Sequence, residues 1–309
     1  MLDSGDAAEP RVMALNLLTL LETPEADADQ VLRDRLGDRL LSLVVSKDAG
    51  QAKLNQGAMA LSLAALATLY ERTRDEQLGQ AVWAMMDRLW GSEERVPNLV
   101  ALPWLVLAYE RAGDLLADAD ASGMKQAQLA KRRAVLAAVI DRLCQYQVIE
   151  IPELGPDDVL GGFVLKPGPS GSPPNPDWRN AQALMFLSVM LRDENATQDR
   201  DKLGWLLSAG YSARFVGQLM MDDAACYYVR DRTAAHGGVR MAPWDNRLAL
   251  APTAISLLAV TELQASLTSF KPPVPTPDSI TEEDGGEDEL TPNDSEGVPV
   301  DVTTPDAQP

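Results

Sequence analysis

Apolar residues recur at helical spacing along almost all of the first 270 residues, and the alternation typical of strands is scarce. Glycine, proline and small polar residues cluster between the periodic segments. The pattern therefore predicts an all-α body. The predicted helices cover residues 10–22, 27–46, 55–72, 75–90, 98–113, 124–147, 178–193, 200–221 and 247–268.

These helices are of two alternating kinds. One kind is apolar nearly all round, as in segments 55–69, 98–108, 181–191 and 248–263. The other kind, as in 27–46, has a charged face. A helix that is apolar on all sides must be covered on all sides, whereas an amphipathic helix lies at the surface. We therefore expect a double layer in which outer helices line the inner ones. Its inner helices are centred on Leu63, Leu105, Leu187 and Leu257.

A short repeat marks the starts of the predicted inner helices. Asn is followed after three residues by Ala and then by a large apolar residue. The four copies are Asn55-Ala58-Met59, Asn98-Ala101-Leu102, Asn180-Ala183-Leu184 and Asn246-Ala249-Leu250. Because an Asn side chain accepts from unpaired N–H groups at a helix start, each Asn is predicted to be an N-cap.

Two long loops share a second pattern. Gly161-Gly162 is followed by Pro176, Asp177, Trp178 and Asn180, and Gly237-Gly238 by Pro243, Trp244, Asp245 and Asn246. Paired glycines permit positive φ or a close main-chain approach. The tryptophan is predicted to pack beneath each loop.

This combination resembles the α/α toroid of the squalene/hopene cyclase and protein prenyltransferase superfamily. The segment GGFVLKPG, which begins at Gly161, is similar to a turn of prenyltransferase β subunits. The resemblance covers most of residues 1–268 and implies an α/α toroid. Because about nine helices fall short of six hairpins, we expect the ring to be incomplete or open.

The catalytic motifs of that superfamily are absent. The chain has no Asp-x-Asp-Asp motif and no Asp-Asp-x-x-Asp motif, and Asp118-Ala119-Asp120 is the nearest approach. A zinc site of the prenyltransferase kind uses Asp, Cys and His. Asp223, Cys226 and His236 supply those residue types, although Cys226 precedes the Gly-Gly turn. No cofactor is therefore expected, with zinc as the alternative.

If the inner helices are parallel, their N-terminal ends form one rim, where the two long loops also lie. Aromatic, guanidinium and carboxylate groups in these loops suit a polar-ligand cleft. The predicted ligand-binding residues are Tyr227, Tyr228, Arg240, Trp244, Asp177, Trp178 and Arg179. His236, the single histidine, is the candidate general base, with Asp231 or Asp245 as its partner.

The last 39 residues differ in composition from the rest. Residues 271–309 contain eight prolines, eleven acids and one lysine, which gives a net charge of −10 and no aromatic residue. Such a segment buries too little apolar surface to offset its chain entropy. We therefore expect two parts, a helical domain at 1–270 and a disordered acidic tail at 271–309.

The charge and the residue composition of the chain exclude several classes of function. The net charge of −19 argues against nucleic acid and anionic membranes as partners. Two cysteines exclude a disulfide scaffold. The apolar run from Ala58 to Tyr70 is too short to span a bilayer, and the first residues lack a secretory signal, so a cytoplasmic location is expected.

Two functions remain open. The first is a non-catalytic toroid-like repeat protein that binds a ligand or a protein partner at the rim. The alternative is an enzyme, similar to terpene cyclases or prenyltransferases or acting on a polysaccharide, with its site in the same rim. The missing motifs favour the first.

Overall fold

The computed structural model describes residues 10–22, 30–45, 55–91, 97–150, 157–165, 176–198 and 200–270. The chain divides into two units, Met1–Phe270 and Lys271–Pro309. The first has the bounds that the sequence analysis gives to the helical part of the chain. The predicted disordered tail lies outside the described residues.

The described chain is mostly helical, as predicted. The longer helices are α1 (Pro10–Glu22), α2 (Gln30–Val45), α3 (Gln56–Thr73), α4 (Glu76–Trp90), α5 (Leu102–Ala108), α7 (Met124–Cys144), α8 (Asn180–Arg192), α10 (Lys202–Leu219) and α12 (Leu250–Ser269). The short elements are α6 (Asp114–Asp118), α9 (Glu194–Thr197), α11 (Arg232–Ala235) and the antiparallel strands β1 (Arg240–Ala242) and β2 (Asp245–Leu248).

Each predicted helix overlaps an observed one, but two predictions need correction. The segment predicted as 98–113 begins at Leu102 and runs on through a π-helical turn, Tyr109–Gly113, into α6. The segment predicted to begin at 247 begins at Leu250, because the preceding residues form the hairpin of β1 and β2.

The longer helices pack in a series with others beside it. Helices α1, α3, α5, α8 and α12, which we call the inner helices, pack against one another in that order. Of the others, which we call the outer helices, α2 and α4 pack against α3, α10 packs against α8, and α7 packs against α6, α9 and α10. Every side chain from Leu102 to Ala108 is buried, as is every one from Ala181 to Leu191. Leu63, Leu105 and Leu187 share one core with no solvent exposure. The apolar runs therefore identified α3, α5 and α8 as buried helices.

Helix α12 departs from the predicted all-round burial. Its Ala259 and Leu263 join the common core, but Leu257 is 68% exposed. Among the described residues, α12 is the one helix that is long and apolar enough to cross a membrane, and 28% of its most apolar window is buried.

Neighbouring inner helices run in the same direction. Near their N-terminal ends, the Asn98 N–H donates to Gln56 Oε1 at 3.3 Å. Near their C-terminal ends, Arg111 and Glu71 form an ion pair at 3.4 Å, which joins the end of the π-helical turn to α3. Both contacts join like ends, so α3 and the α5 segment are parallel.

Ion pairs continue across the C-terminal parts of the next inner helices. Arg192 at the end of α8 contacts Glu110 at 2.6 Å and Glu262 of α12 at 2.5 Å. The Ser266 hydroxyl of α12 donates to the Ser188 carbonyl at 2.6 Å. In the described part of the chain, α1 and α12, the two ends of the series, are not among the helix pairs that pack extensively.

The Asn repeat has three different outcomes. Asn55 is an N-cap, since its Oδ1 accepts from the Ala58 N–H at 2.9 Å. Asn98 makes the same contact with the Ala101 N–H at 3.1 Å, one turn before α5. Asn180 lies inside the first turn of α8 and Asn246 in β2, so the N-cap prediction is wrong for these two.

Candidate functional site

The first Gly-Gly turn returns the chain to the end of outer helix α7. The Gly161 N–H donates to the Val148 carbonyl at 2.7 Å, and the Val148 N–H donates to the Gly162 carbonyl at 2.9 Å. Phe163 then forms an antiparallel bridge with Gln147. Gly161 has φ +90°, which favours glycine. The turn therefore attaches the loop to α7.

The second turn repeats this arrangement after α10. The Gly237 N–H donates to the Met221 carbonyl at 2.8 Å, and the Met221 N–H donates to the Gly238 carbonyl at 2.8 Å. Val239 forms an antiparallel bridge with Met220, and Gly237 has φ +78°. The glycine pattern noticed in the sequence is thus a structural repeat with equivalent main-chain hydrogen bonds.

Asn180 attaches the first turn to the next inner helix. It is fully buried; its Oδ1 accepts from the Phe163 N–H, and its Nδ2 donates to the Phe163 carbonyl at 3.3 Å and to the Asp177 carbonyl at 3.0 Å. In the second repeat the Val239 N–H donates instead to Thr253 Oγ1 at 3.0 Å. Thr253, which the sequence analysis missed, is thus the counterpart of Asn180.

Two Asp-x-Arg pairs hold their own loops. Arg179 Nε donates to Asp177 Oδ1 at 2.8 Å, and Arg247 Nε donates to Asp245 Oδ1 at 2.9 Å. The hydrogen bond that Arg179 donates to Asp177 raises the pKa of Arg179, and the one that Arg247 donates to Asp245 lowers the pKa of Asp245. These predicted site residues are therefore engaged locally. An Asp and an Arg two residues apart were visible in both loops, but their pairing was not predicted.

Two further predicted ligand residues have structural contacts. Trp178 packs on the buried cluster of Phe215, Leu219 and Val239, as predicted for a tryptophan beneath the loop. Arg240 donates through Nη2 to the Gln218 carbonyl at the end of α10 and through Nη1 to the Pro243 carbonyl at 3.3 Å. Arg240 therefore holds the hairpin against α10.

The candidate acid and base groups are separate. His236 is 58% exposed, and its Nε2 lies 3.5 Å from Asp223 Oδ1. Asp231 is the N-cap of α11 and accepts from the Ala234 N–H at 3.0 Å. Asp245 is occupied by Arg247. No described contact places Asp231 or Asp245 against His236 as the orienting partner that a general base uses.

The zinc alternative finds no support in the geometry. Cys226 is 1% exposed and lies in a small apolar cluster with Met221 and Ala235, apart from the Asp223–His236 pair. Among the described residues, no group of three His, Cys, Asp or Glu side chains is placed to hold a metal ion. Asp120, the nearest approach to a cyclase motif, instead accepts from the Lys125 N–H at 2.9 Å at the start of α7.

The aromatic groups of the second loop do face solvent. Tyr227 is 72% exposed and Trp244 is 58% exposed at the hairpin turn, with Leu248 at 38% and Met220 at 49%. We call these four residues the rim surface. The Tyr228 side chain lies outside the described part of the molecule. Of the predicted ligand residues, Tyr227 and Trp244 are therefore two with large exposed aromatic side chains.

A cleft of about 160 Å³ lies at the other end of the inner helices. It is lined by Val106, Tyr109, Glu110, Asp114, Arg133, Val189, Met190, Arg192, Asp193, Glu194 and Asn195. Arg133 binds Asp114 through two hydrogen bonds, at 2.7 and 2.8 Å, and contacts Asp193 at 2.6 Å. Neither this cleft nor a smaller one beside Trp90 contains a predicted rim residue.

The charges of this cleft satisfy one another. Burial opposes the charge of Arg133, but the hydrogen bonds and charges of Asp114 and Asp193 outweigh it and raise the pKa of the guanidinium. Arg192 is likewise paired with two glutamates. One feature of the sequence could have indicated this cleft: Arg192 ends the otherwise apolar helix α8. A buried guanidinium needs acidic partners, so such an arginine predicts nearby carboxylates. The cleft is thus a salt-bridged junction between inner helices.

Comparison with known protein families, characterised proteins and solved structures finds no match to this chain.

Proposed function

We propose that the protein is an open, α/α toroid-like helical repeat protein that binds a protein partner at the rim surface without catalysing a reaction. One observation carries the proposal: Trp244 and Tyr227 are exposed, whereas the charged groups predicted around them are engaged within the protein. The serial packing of inner helices, with no extensive contact between α1 and α12 in the described residues, supports an open arrangement.

The hairpin suits the role of a binding element. Trp244 lies in the two-residue turn between β1 and β2, and the hydrogen bonds of Arg240 fix that turn to α10. A held aromatic side chain loses little conformational entropy when a partner covers it. Tryptophan, tyrosine and arginine are also the residues that contribute most to protein–protein binding energy. An apolar segment of a partner protein is the occupant that this surface fits.

Catalysis at the rim has less support. An acid–base site needs a titratable group within hydrogen-bond reach of its partner in a concave pocket. His236 is instead exposed beside the fully exposed Asp223, and the carboxylates of Asp231 and Asp245 accept hydrogen bonds from their own loops. This arrangement favours the binding function over the cyclase-like or polysaccharide-acting alternative.

The test is selection of random phage-displayed peptides on the full chain, followed by measurement of Kd for the selected peptides. Trp244→Ala is expected to weaken their binding at least tenfold, which corresponds to about 1.4 kcal/mol. Tyr211→Ala removes a 40% exposed aromatic ring of α10 outside the rim surface and is the matched control.

Three results would contradict the proposal. The first is failure to select any peptide, and the second is an equal loss of binding in both variants. The third is turnover of an isoprenoid diphosphate or an oligosaccharide by the wild-type protein that His236→Ala abolishes.

A further inference from the structure

Helix α12 presents a seam that is exposed at all but one of six positions; at the remaining one, Thr253 is half-buried and accepts from the Val239 N–H. The six residues of the seam are separated alternately by three and four positions along the chain, and four of the six are apolar. The seam consists of Leu250, Thr253, Leu257, Val260, Gln264 and Leu267. Leu250 is 86% exposed, Leu257 68%, Val260 46% and Leu267 51%. This spacing is the heptad pattern of helices that pair by knobs-into-holes packing.

An adjoining face of α12 is already packed. Ala259 and Leu263 lie in the common core, and Glu262 forms an ion pair with Arg192 of α8 at 2.5 Å. The seam therefore belongs to a helix that is held in place by the rest of the protein. Short helices are marginal in water by themselves, but a helix folded in advance brings no such cost to association.

No ionisable side chain flanks the seam. The neighbouring positions on its outward side hold Ala254, Thr261 and Thr268, whereas Ser256 and Leu263 on the other side are buried against the rest of the protein. The one acid of α12, Glu262, faces α8 and is neutralised there. In a chain with a net charge of −19, two copies repel each other over most of their surfaces. The uncharged seam is a surface at which a second copy meets no like charge.

The order of residues along the seam is self-complementary when reversed. Two antiparallel copies that are centred between Leu257 and Val260 place these two residues opposite each other. In the same register Leu250 lies opposite Leu267, and Thr253 lies opposite Gln264. Apolar residues then face apolar residues, and polar residues face polar ones. A symmetric interface of this kind, in which one patch meets itself, is the commonest arrangement in homodimers.

The chain that follows α12 also favours the antiparallel direction. Residues 271–309 carry a net charge of −10 and are joined to the C-terminal end of the helix. Parallel pairing would bring the starts of two such segments together. Antiparallel pairing separates the points of attachment by the length of a 20-residue helix, about 30 Å, which exceeds the Debye length of about 8 Å.

We propose that the α12 seam binds the α12 seam of a second copy in antiparallel orientation, which makes the protein a homodimer. The inference concerns a surface separate from the rim surface and does not depend on the proposed function. The Trp244→Ala variant, which tests partner binding at the rim surface, is expected to remain dimeric. Failure of the partner-binding proposal would therefore not contradict the dimer, and failure of the dimer would not contradict partner binding.

The test is sedimentation equilibrium of the full chain at concentrations up to about 100 μM. The wild type is expected to have twice the monomer mass of 33.4 kDa. Leu257→Glu introduces a charge at the centre of the seam and is expected to give a monomer. Leu207→Glu changes a leucine of α10 that is 57% exposed and lies outside the seam, and it should leave the dimer intact.

Disulfide cross-linking tests the direction of the helices. A mixture of Leu250→Cys and Leu267→Cys proteins is expected to give a cross-linked dimer containing one copy of each, whereas either variant alone gives none. Cross-linking of each variant to itself would overturn the antiparallel arrangement. A monomeric wild type, or a monomer that floats with phosphatidylcholine vesicles through α12, would overturn the proposal itself.

Discussion

The side-chain amide of Asn180 holds the main chain of Phe163 from both sides, accepting from its N–H and donating to its carbonyl. Both residues are fully buried, so this one side chain satisfies two polar groups that water does not reach. Through this contact, inner helix α8 fixes the loop that follows outer helix α7. An asparagine that reads as a helix cap in the sequence thus connects an inner helix to an outer one.

Replacement of Asn180 by alanine is expected to lower the free energy of unfolding by about 2–3 kcal/mol, because the Phe163 N–H loses its partner while remaining buried; the Phe163 carbonyl keeps a hydrogen bond from the Leu165 N–H at 3.0 Å. Urea denaturation measures this loss. Asn55→Ala removes only a partly exposed N-cap and is expected to cost about 1 kcal/mol. Equal losses in the two variants would contradict the role assigned to Asn180.

The two turn glycines are expected to respond differently to alanine. Both have positive φ, but a Cβ on Gly161 would also collide with the Tyr211 carbonyl oxygen, whereas one on Gly237 would meet open space. Gly161→Ala should therefore cost about 3 kcal/mol or more and Gly237→Ala about 1–2 kcal/mol.

Thermal and urea unfolding of both variants check this order. Gly210 lies within α10, and a Cβ there meets no neighbouring atom. Gly210→Ala is expected to stabilise the protein by about 0.5–1 kcal/mol. A Gly237→Ala variant that is less stable than Gly161→Ala would show that the collision at Tyr211 is not the deciding factor.

Arg192→Met is expected to cost about 3–5 kcal/mol, since it leaves the carboxylate of Glu262, only 12% exposed, without its cation. The double variant Arg192→Met, Glu262→Leu should recover most of that loss, because no buried charge is then left unpaired. Arg200→Met breaks an ion pair with Asp141 that is about one third exposed, and it should cost no more than about 1 kcal/mol. A double-mutant cycle in urea that finds no coupling between Arg192 and Glu262 would contradict this account.

Asp120 is expected to contribute to stability in a pH-dependent way. Hydrogen bonds from the Lys125 N–H and from Ser122 lower the pKa of its carboxyl. The folded-state pKa is thus below the unfolded value of about 3.9. The contribution is therefore fully present above that value and is lost as the pH falls through the lower, folded-state pKa.

Carboxyl NMR titration of Asp120 measures the pKa directly, and unfolding at pH values on both sides of the transition measures the stability. The difference in stability between the wild type and Asp120→Asn should narrow as the solution is acidified below the unfolded-state pKa. A difference that stays constant through that range would show that the carboxylate charge is not involved.

Much of the helical layout was predictable from local pattern. The fully apolar runs around Leu63, Leu105 and Leu187 indicated buried helices, because a helix without a polar face has no side to expose. The same reasoning was wrong for Leu257, since α12 has the composition of an inner helix but packs on one side in the described structure. The composition of a helix shows whether its surface can be buried. Whether that surface is buried depends on which other elements pack against the helix.

The sequence predicted where in the chain the candidate site lies better than it predicted what each of its residues does. Local pattern identified the two Gly-Gly turns, because glycine conformation depends on adjacent residues. The tryptophan predicted to pack beneath each loop does so at Trp178, but the prediction is wrong for Trp244. Packing between distant segments decided that Thr253 replaces Asn180 in the second repeat and that Tyr227 and Trp244 are exposed. Hydrogen-bond partners and solvent exposure depend on groups that are distant along the chain, and their distances are set only when the helices pack.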